Sequence, residues 1–372
     1  MSSDFCPNCN LKLLPGATRC PACGQPIAGA QWGGQPFTPP PSQDAPAGKS
    51  LALVFGVLGG LLIVVLLVAA AGLFVYYRSR TQNKPLVAKP KGKTGFIDKT
   101  GKLVIDAKFD DAVSFTEQLA AVQIDGKWGY IDKTGAIVIA PQFDQAWGFS
   151  GGVAEAKRGD KWGYISKTGA FVIQPAFDLT FPFKQGVAPV KAGDKSIFID
   201  KQGKQAIDRQ FESARSFSEG LAAVKEGGKW GFINRKGKYV IDPEFEDAGL
   251  FSEGWAAVKK AGKWFYIDPG RIEMYRGMEP DFGKYDEAGR FVDSLAPVKT
   301  GNKWGYIDNR HMTQIQYRFD VAFPFREGLA NVKQGGRWGY IDKIGVYVIK
   351  VQFDFGGSFS DGLAPVVIAN SR

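Results

Sequence analysis

The stretch KWGYIDKTG at 127–135 returns as KWGYISKTG from Lys161, KWGFINRKG from Lys229 and RWGYIDKIG from Arg337. Aligned on the tryptophan position, units begin at Lys93, Lys127, Lys161, Lys195, Lys229, Lys263, Lys303 and Arg337. The step is 34 residues every time except after Lys263, where it is 40. Eight units with one six-residue insertion account for residues 93–372. A period of this size means that each unit is one supersecondary brick, unable to bury its apolar face except against its neighbours.

The grammar inside a unit is that of short strands. From Lys229, KWGFIN reads as an aromatic strand, RKG as a turn, KYVIDPEFE as a second strand, DAGLFSEG as an irregular connector and WAAVK as a third strand. Glycine at the turn permits positive φ, while aromatic and β-branched residues fill the extended pieces. With 47 glycines and 21 prolines among 372 residues, turns are frequent and helices few. Three or four antiparallel strands per unit are expected.

The tryptophan-glycine pair has a structural reading and a functional one. An indole can fill the gap between successive small sheets, and a neighbour without a side chain lets backbone approach closely. Such a position tolerates replacement, and Thr94 and Ser196 stand for tryptophan while Ile197 and Phe265 stand for glycine. The rival is an exposed aromatic that stacks on sugars or peptides. Two series of acids recur as well. Asp98, Asp132, Asp200, Asp268, Asp308 and Asp342 follow the aromatic strand, and Asp110, Asp144, Asp178, Asp286, Asp320 and Asp354, with Glu212 and Glu246, follow the second. Short polar side chains there can bond turn backbone, so both series read as caps rather than catalysts.

KWGYIDKTGAIVIAPQFD at 127–144 and FSEGLAAVKEGGKWGF at 217–232 resemble the bacterial WG (tryptophan-glycine) repeat family, and the likeness covers about three quarters of the chain. The resemblance implies a repeat of interaction function and no particular substrate. The expected fold is an all-β repeat array of about 34 residues per unit. A β-propeller suits seven or eight similar units, with an abbreviated outer strand in so short a blade. An open β superhelix is the alternative.

The first 92 residues are of another kind. All four cysteines lie there, as Cys6, Cys9, Cys20 and Cys23. Two residues between cysteines let a tight knuckle aim both sulfurs at one point, and two such knuckles make a closed tetrahedral thiolate site suited to structural Zn2+. Residues 1–26 resemble short bacterial zinc ribbons of the CPxC…CPxCG type, with Gly24 fitting the pattern and Asn10 departing from it. Residues 27–49 read as a Pro/Gly-rich linker. Residues 50–77 contain LALVFGVLGGLLIVVLLVAAAGLFVYY, a run without one charge and long enough for a tilted transmembrane helix. Gly56 and Gly60 would permit helix pairing, which leaves a homo-oligomer open. Residues 78–92 form a basic juxtamembrane linker ahead of the eight repeats of 93–372.

Charge separates these regions. The chain carries +10, but eight basic and two acidic residues fall in the first 92, leaving only +4 on the repeats. A nucleic-acid partner is therefore not expected. Arg78 to Lys93 supplies six basic residues, which by the positive-inside rule puts the repeats in the cytoplasm. The layout of ribbon, anchor and large domain in proteins that this chain resembles implies the reverse, with the zinc ribbon cytoplasmic and the repeats extracytoplasmic, and that orientation is the expectation carried forward.

Catalytic signatures are thin. His311 is the single histidine, the repeats contain no cysteine, and GDK and GGK lack the strand-to-helix context of a phosphate loop. The expectation is no enzyme but a membrane-anchored interaction or sensing protein with a protein, peptide or cell-envelope ligand. The alternative is a cell-wall or carbohydrate-acting hydrolase, or a lectin, with a site built across repeats. The pattern-breaking segment 269–290, with Arg271, Glu273, Arg276, Glu279 and Asp281, is where its acids would converge.

Overall fold

Each repeat is shared between two sheets. The computed structural model of the protein describes residues 92–270 and 285–368. In the first sheet, Asp111–Ala112, Ala120–Ile124, Lys127–Ile131 and Ile137–Phe143 pair antiparallel in that order. The first two strands end one repeat and the last two begin the next. Eight such sheets form an all-β propeller of eight blades. We number them from this one, so that the second blade spans 145–177 and the eighth joins Phe355–Gly356 and Ala364–Val367 to Thr94–Ile97 and Leu103–Phe109.

The eighth blade decides between a ring and an open superhelix. Thr94–Ile97 pairs residue for residue with Ala364–Val367, from Thr94 opposite Val367 to Ile97 opposite Ala364. One blade thus takes strands from both ends of the repeat array and closes it. Apolar packing crosses the same seam, where Phe96, Ile105 and Phe109 of the eighth blade cluster with Phe115, Val122 and Ile131 of the first. Every described core cluster spans two blades in this manner. Tyr164, Ile173 and Phe177 meet Phe183, Val190 and Ile199, for instance. The stability of each unit therefore resides largely in its neighbours.

Burial explains the composition of the strands. Lys127–Ile131 is covered on both faces by adjoining blades, so after its first residue it reads as a continuous buried run, Trp128 to Ile131. Ile137–Phe143 lies at the outer edge, with Ile139 and Phe143 buried while Val138 faces outward.

Seven of the eight blades have an innermost strand of only two residues, the second blade's being Gln145–Ser150, while the outer strand is seven residues long in six blades and missing as a strand from the third and fifth. The segment expected to be an irregular connector holds a two-residue strand followed by a tight hairpin. Thr116 and Leu119 exchange both backbone hydrogen bonds, at 2.9 and 3.1 Å, around Glu117 and Gln118, whose φ values are 52° and 75°. Two consecutive positive φ angles make the type I′ geometry that matches strand twist, and most other units place glycine second in this turn.

The glycine of the repeated pair answers a close backbone approach. A Cβ at Gly163 would lie 2.4 Å from the carbonyl oxygen of Ile173, and at Gly95, Gly231, Gly305 and Gly339 it would lie 2.6 Å from the matching carbonyls. The register shifts at this point in each pair, a bulge that pushes outer backbone onto the glycine. All six four-stranded sheets have glycine there. In the third and fifth blades, where Ile197 and Phe265 replace it, the sheets have three strands. Ile197 is itself buried in the interblade core, filling room where bulged backbone would otherwise lie.

Candidate functional site at the hairpin mouth

The repeated residues are occupied by architecture. Trp162, Trp230, Trp264 and Trp338 are at most 2% exposed and Trp128 is 7% exposed, so the repeat does not build an open aromatic face. Asp132 Oδ1 accepts from Thr134 N at 2.9 Å, Thr134 Oγ1 at 2.6 Å and Ala136 N at 3.1 Å. Asp98, Asp308 and Asp342 cap their turns in the same way. In the second series, Asp144 accepts from Gly159 N at 2.7 Å and Lys127 Nζ at 2.6 Å, while Glu212 and Glu246 accept from Gly228 N and Gly262 N. The lysine hydrogen bond is the largest cause holding the Asp144 carboxyl below its ordinary range. Cys6, Cys9, Cys20 and Cys23, the apolar run of 50–77 and the charged residues of 271–281 lie outside the described residues.

Tyrosine carries a role that sequence reasoning missed. The hydroxyl of Tyr130 donates to Trp147 O at 2.7 Å, that of Tyr164 to Phe181 O at 2.8 Å, and that of Tyr340 to Gly357 O at 2.8 Å. Each bond ties one blade to the inner strand of the next. The signal was present in the WGY motif, but its partner, 17 residues further along the same unit, lies in the next blade.

The inner hairpins are laced into a circle. Glu117 accepts from Gly152 N, Gln185 from Gly220 N, Glu219 from Glu253 N and Gly254 N, Glu253 from Ser294 N, Asp293 from Gly328 N, and Glu327 from Gly362 N. Asp361 then accepts from Gln118 N at 2.8 Å, across 243 residues of sequence. The second blade has Gly151 at the carboxylate position, and there Lys201 Nζ donates to the Gly151 carbonyl at 2.5 Å. Lysines of the adjoining turns pair with several of these acids: Lys99 with Glu327 at 3.1 Å, Lys167 with Glu117 at 3.4 Å, and Lys343 with Asp293 at 4.0 Å. Three of the six rim acids, Glu117, Asp293 and Glu327, thus face a lysine.

Inside the rim the balance differs. Next to the repeated phenylalanine that leads into the inner hairpin, three blades carry long cations: Lys184 on the third, Arg290 on the sixth and Arg326 on the seventh. Burial comes first in pushing the Lys184 amine below its ordinary value, followed by Arg290 and Arg326, with Glu117 and Glu155 opposing. Burial and then Arg326 push the Arg290 guanidinium down to about 9, still cationic at neutral pH. Lys184 is nonetheless solvent-exposed and Arg290 and Arg326 are half-buried.

A fourth inner cation has a structural post. Arg215 Nη2 donates to Asp247 Oδ1 at 2.7 Å with both side chains largely buried, and its guanidinium lies 4.6 Å over the Trp230 ring.

A sequence model described as WG containing repeat matches residues 95–128, 128–162, 162–195, 198–230, 230–264, 283–304, 304–338 and 338–370. Another, described as a zinc-ribbon domain, matches residues 5–27. No curated protein is significantly similar to the chain. Among solved structures, a eukaryotic initiation factor is 12% identical over 76% of this chain and 91% of its own, with a TM-score of 0.47. PorZ, a surface component of the type-IX secretion system of Porphyromonas gingivalis, is 9% identical over 72% and 42%, with a TM-score of 0.39. The extracellular domain of the BT4673 one component system from B. thetaiotaomicron is 12% identical over 68% and 43%, with a TM-score of 0.40. Likenesses this remote carry no functional information.

Proposed function

The chain belongs to the family of WG-containing repeats, and from that membership and its closed ring we propose that it is a non-catalytic binding or sensing protein, tethered to a membrane, whose hairpin mouth receives a protein, peptide or cell-envelope ligand. One observation carries the reading. The residues repeated in every unit are spent on packing, capping and blade-to-blade ties, while the inner hairpins carry residues that differ from unit to unit, such as Gln118, Gly151, Gln185 and Ser294. Pattern-breaking residues on a rigid scaffold are where recognition is ordinarily placed.

A photo-crosslinking residue in place of exposed Gln118, at the mouth, should capture a partner in cells, whereas one in place of Val138, on the outer edge, should not. Capture from Val138 alone would move the binding surface elsewhere. Release of soluble sugars from envelope material by the purified full chain would replace binding with hydrolysis.

The amino-terminal part fits the same reading. Cys6, Cys9, Cys20 and Cys23 offer a four-thiolate donor set, and the zinc-ribbon match covers all four. Such a set leaves no open coordination position, so the ion would fold the ribbon rather than catalyse. The apolar run of 50–77 supplies the anchor, with the ribbon on the cytoplasmic side and the ring outside. Ser371→Cys treated with a membrane-impermeant maleimide in intact cells should be labelled. Labelling only after lysis would invert the orientation, in agreement with the basic run after the span.

A further inference from the structure

We propose that the hairpin of the third blade is a carboxylate-binding site, in which the backbone N–H of Gly186 and the amine of Lys201 receive an acidic side chain from a partner segment. The inference names the ligand chemistry of the mouth proposed above and rests on that reading.

The first support is a slot that the ring builds over and over. In seven of the eight inner hairpins, the second turn residue donates its backbone N–H to a side chain from the preceding blade, and six of those seven acceptors are carboxylates. The third blade departs from this. Gly151 stands where the preceding blade would offer its carboxylate, and Gly186 N, in an exposed turn, has no acceptor among the described residues.

The second is that the cation of the slot is present all the same. Lys99 Nζ donates to the Glu327 carbonyl at 3.0 Å and pairs with its carboxylate at 3.1 Å, and Lys167 makes the same two contacts with Glu117 at 3.0 and 3.4 Å. Lys201 holds the equivalent place in the third blade. Its Nζ donates to the Gly151 carbonyl at 2.5 Å, but that residue has no carboxylate to give. Exposed Lys184 precedes Gly186 by two residues and adds positive charge to the same turn. Glu117, one slot away, is already engaged by Gly152 N and Lys167.

The third is room. A Cβ on Gly151 would lie 3.5 Å from Lys201 Nζ and 3.8 Å from Phe183 Cβ, both ordinary contacts. The backbone there also has the conformation of its counterparts, with φ of 66° against 52° at Glu117 and Glu327. The position thus accepts a side chain and is left open by glycine. What fills the other slots says what fits this one: an amide N–H and an ammonium meeting one carboxylate, a charge-assisted arrangement stronger than a neutral hydrogen bond. Supplied from another molecule, the carboxylate turns a blade-to-blade tie into a recognition contact.

The test is anisotropy titration of the purified full chain at low salt with fluorescent hexaglutamate, hexaglutamine serving as the uncharged control. Saturable binding of hexaglutamate alone is expected, weakened about tenfold or more in Lys201→Gln. Gly151→Glu should abolish it by filling the slot from within, and should melt at or above the parent temperature. Lys99→Gln, whose slot Glu327 fills, should bind as the parent does. An equal loss in Lys99→Gln would assign binding to overall charge and overturn the site. Undiminished binding in Gly151→Glu, or no saturable binding by the parent, would overturn it as well. Lys201 is exposed, so its variant keeps the test open if Gly151→Glu fails to fold. Competition by glutarate as effective as by unlabelled hexaglutamate identifies a free carboxylate as the source, and competition by the peptide alone an acidic segment. A partner captured at Gln118 with no hexaglutamate binding sinks this inference and leaves the broader reading standing; binding with no captured partner does the opposite.

Discussion

A Cβ on Gly129 would stand 2.4 Å from the carbonyl oxygen of Ile139, closer than such atoms can approach. The outer strand and the glycine of the repeat therefore depend on each other. Gly129→Ala should force the outer strand of the first blade outward and cost about 1–3 kcal/mol, as overpacking does. Chemical denaturation of the full chain checks this, and an unchanged midpoint would show that the bulge can relax freely.

The indoles should be costlier. Trp230 and Trp338 are fully buried, so Trp230→Ala or Trp338→Ala should destabilise by about 3–5 kcal/mol through lost burial and a residual cavity. Thermal melts compared with the parent measure it.

Tyrosine hydroxyls should matter less. Tyr340→Phe removes only the 2.8 Å bond to the Gly357 carbonyl, and Phe96, Phe198 and Phe232 occupy the same position in other units. A loss of about 0.5–1.5 kcal/mol is expected. Denaturant midpoints of Tyr340→Phe and Tyr306→Phe should shift by similar small amounts.

Closure should be cooperative. Deleting residues 364–372 removes the strand that pairs with Thr94–Ile97, leaving a hydrophobic edge open to intermolecular pairing. Size-exclusion chromatography should show association, and the unfolding transition should broaden. Asp361→Ala, which removes only the cap on Gln118 N, should keep the ring monodisperse and cost about 1 kcal/mol.

Acid should loosen the turns in a defined window. Asp132, Asp144, Asp286 and Asp320 are held below their ordinary value near 3.8, first by the side-chain hydrogen bonds of Thr134, Lys127, Lys263 and Lys303 respectively. A carboxyl with a depressed folded pKa contributes stability above its unfolded value and loses it as pH falls through the folded one. Melting temperature should stay level on this account from neutrality to about pH 4 and decline below it. A decline already complete at pH 5 would assign acid sensitivity to other groups.

The strands, turns and capping acids could be read from the sequence because they rest on short-range chemistry: Asp132 lies two residues from Thr134, and a glycine turn joins neighbouring strands. The inner two-residue strand was hidden because Asp111 and Ala112 carry no alternation of their own and are extended only by pairing with Gln123 and Val122. Missing outer strands in the third and fifth blades were legible in principle at Ile197 and Phe265, but their meaning required knowing which backbone presses on that position.

The chain's own order of residues determined the period, the brick, the interior place of its indoles and the capping role of its acids, since each depends on residues a few positions apart or on a pattern repeated eight times. Tertiary structure alone decided that the array is a ring, that every blade is assembled from two units, and that Asp361 reaches the backbone of Gln118. Closure depends on the small rotation accumulated from blade to blade, a quantity no single repeat contains, and residues from opposite ends of the array become neighbours only after the last strand has paired with the first.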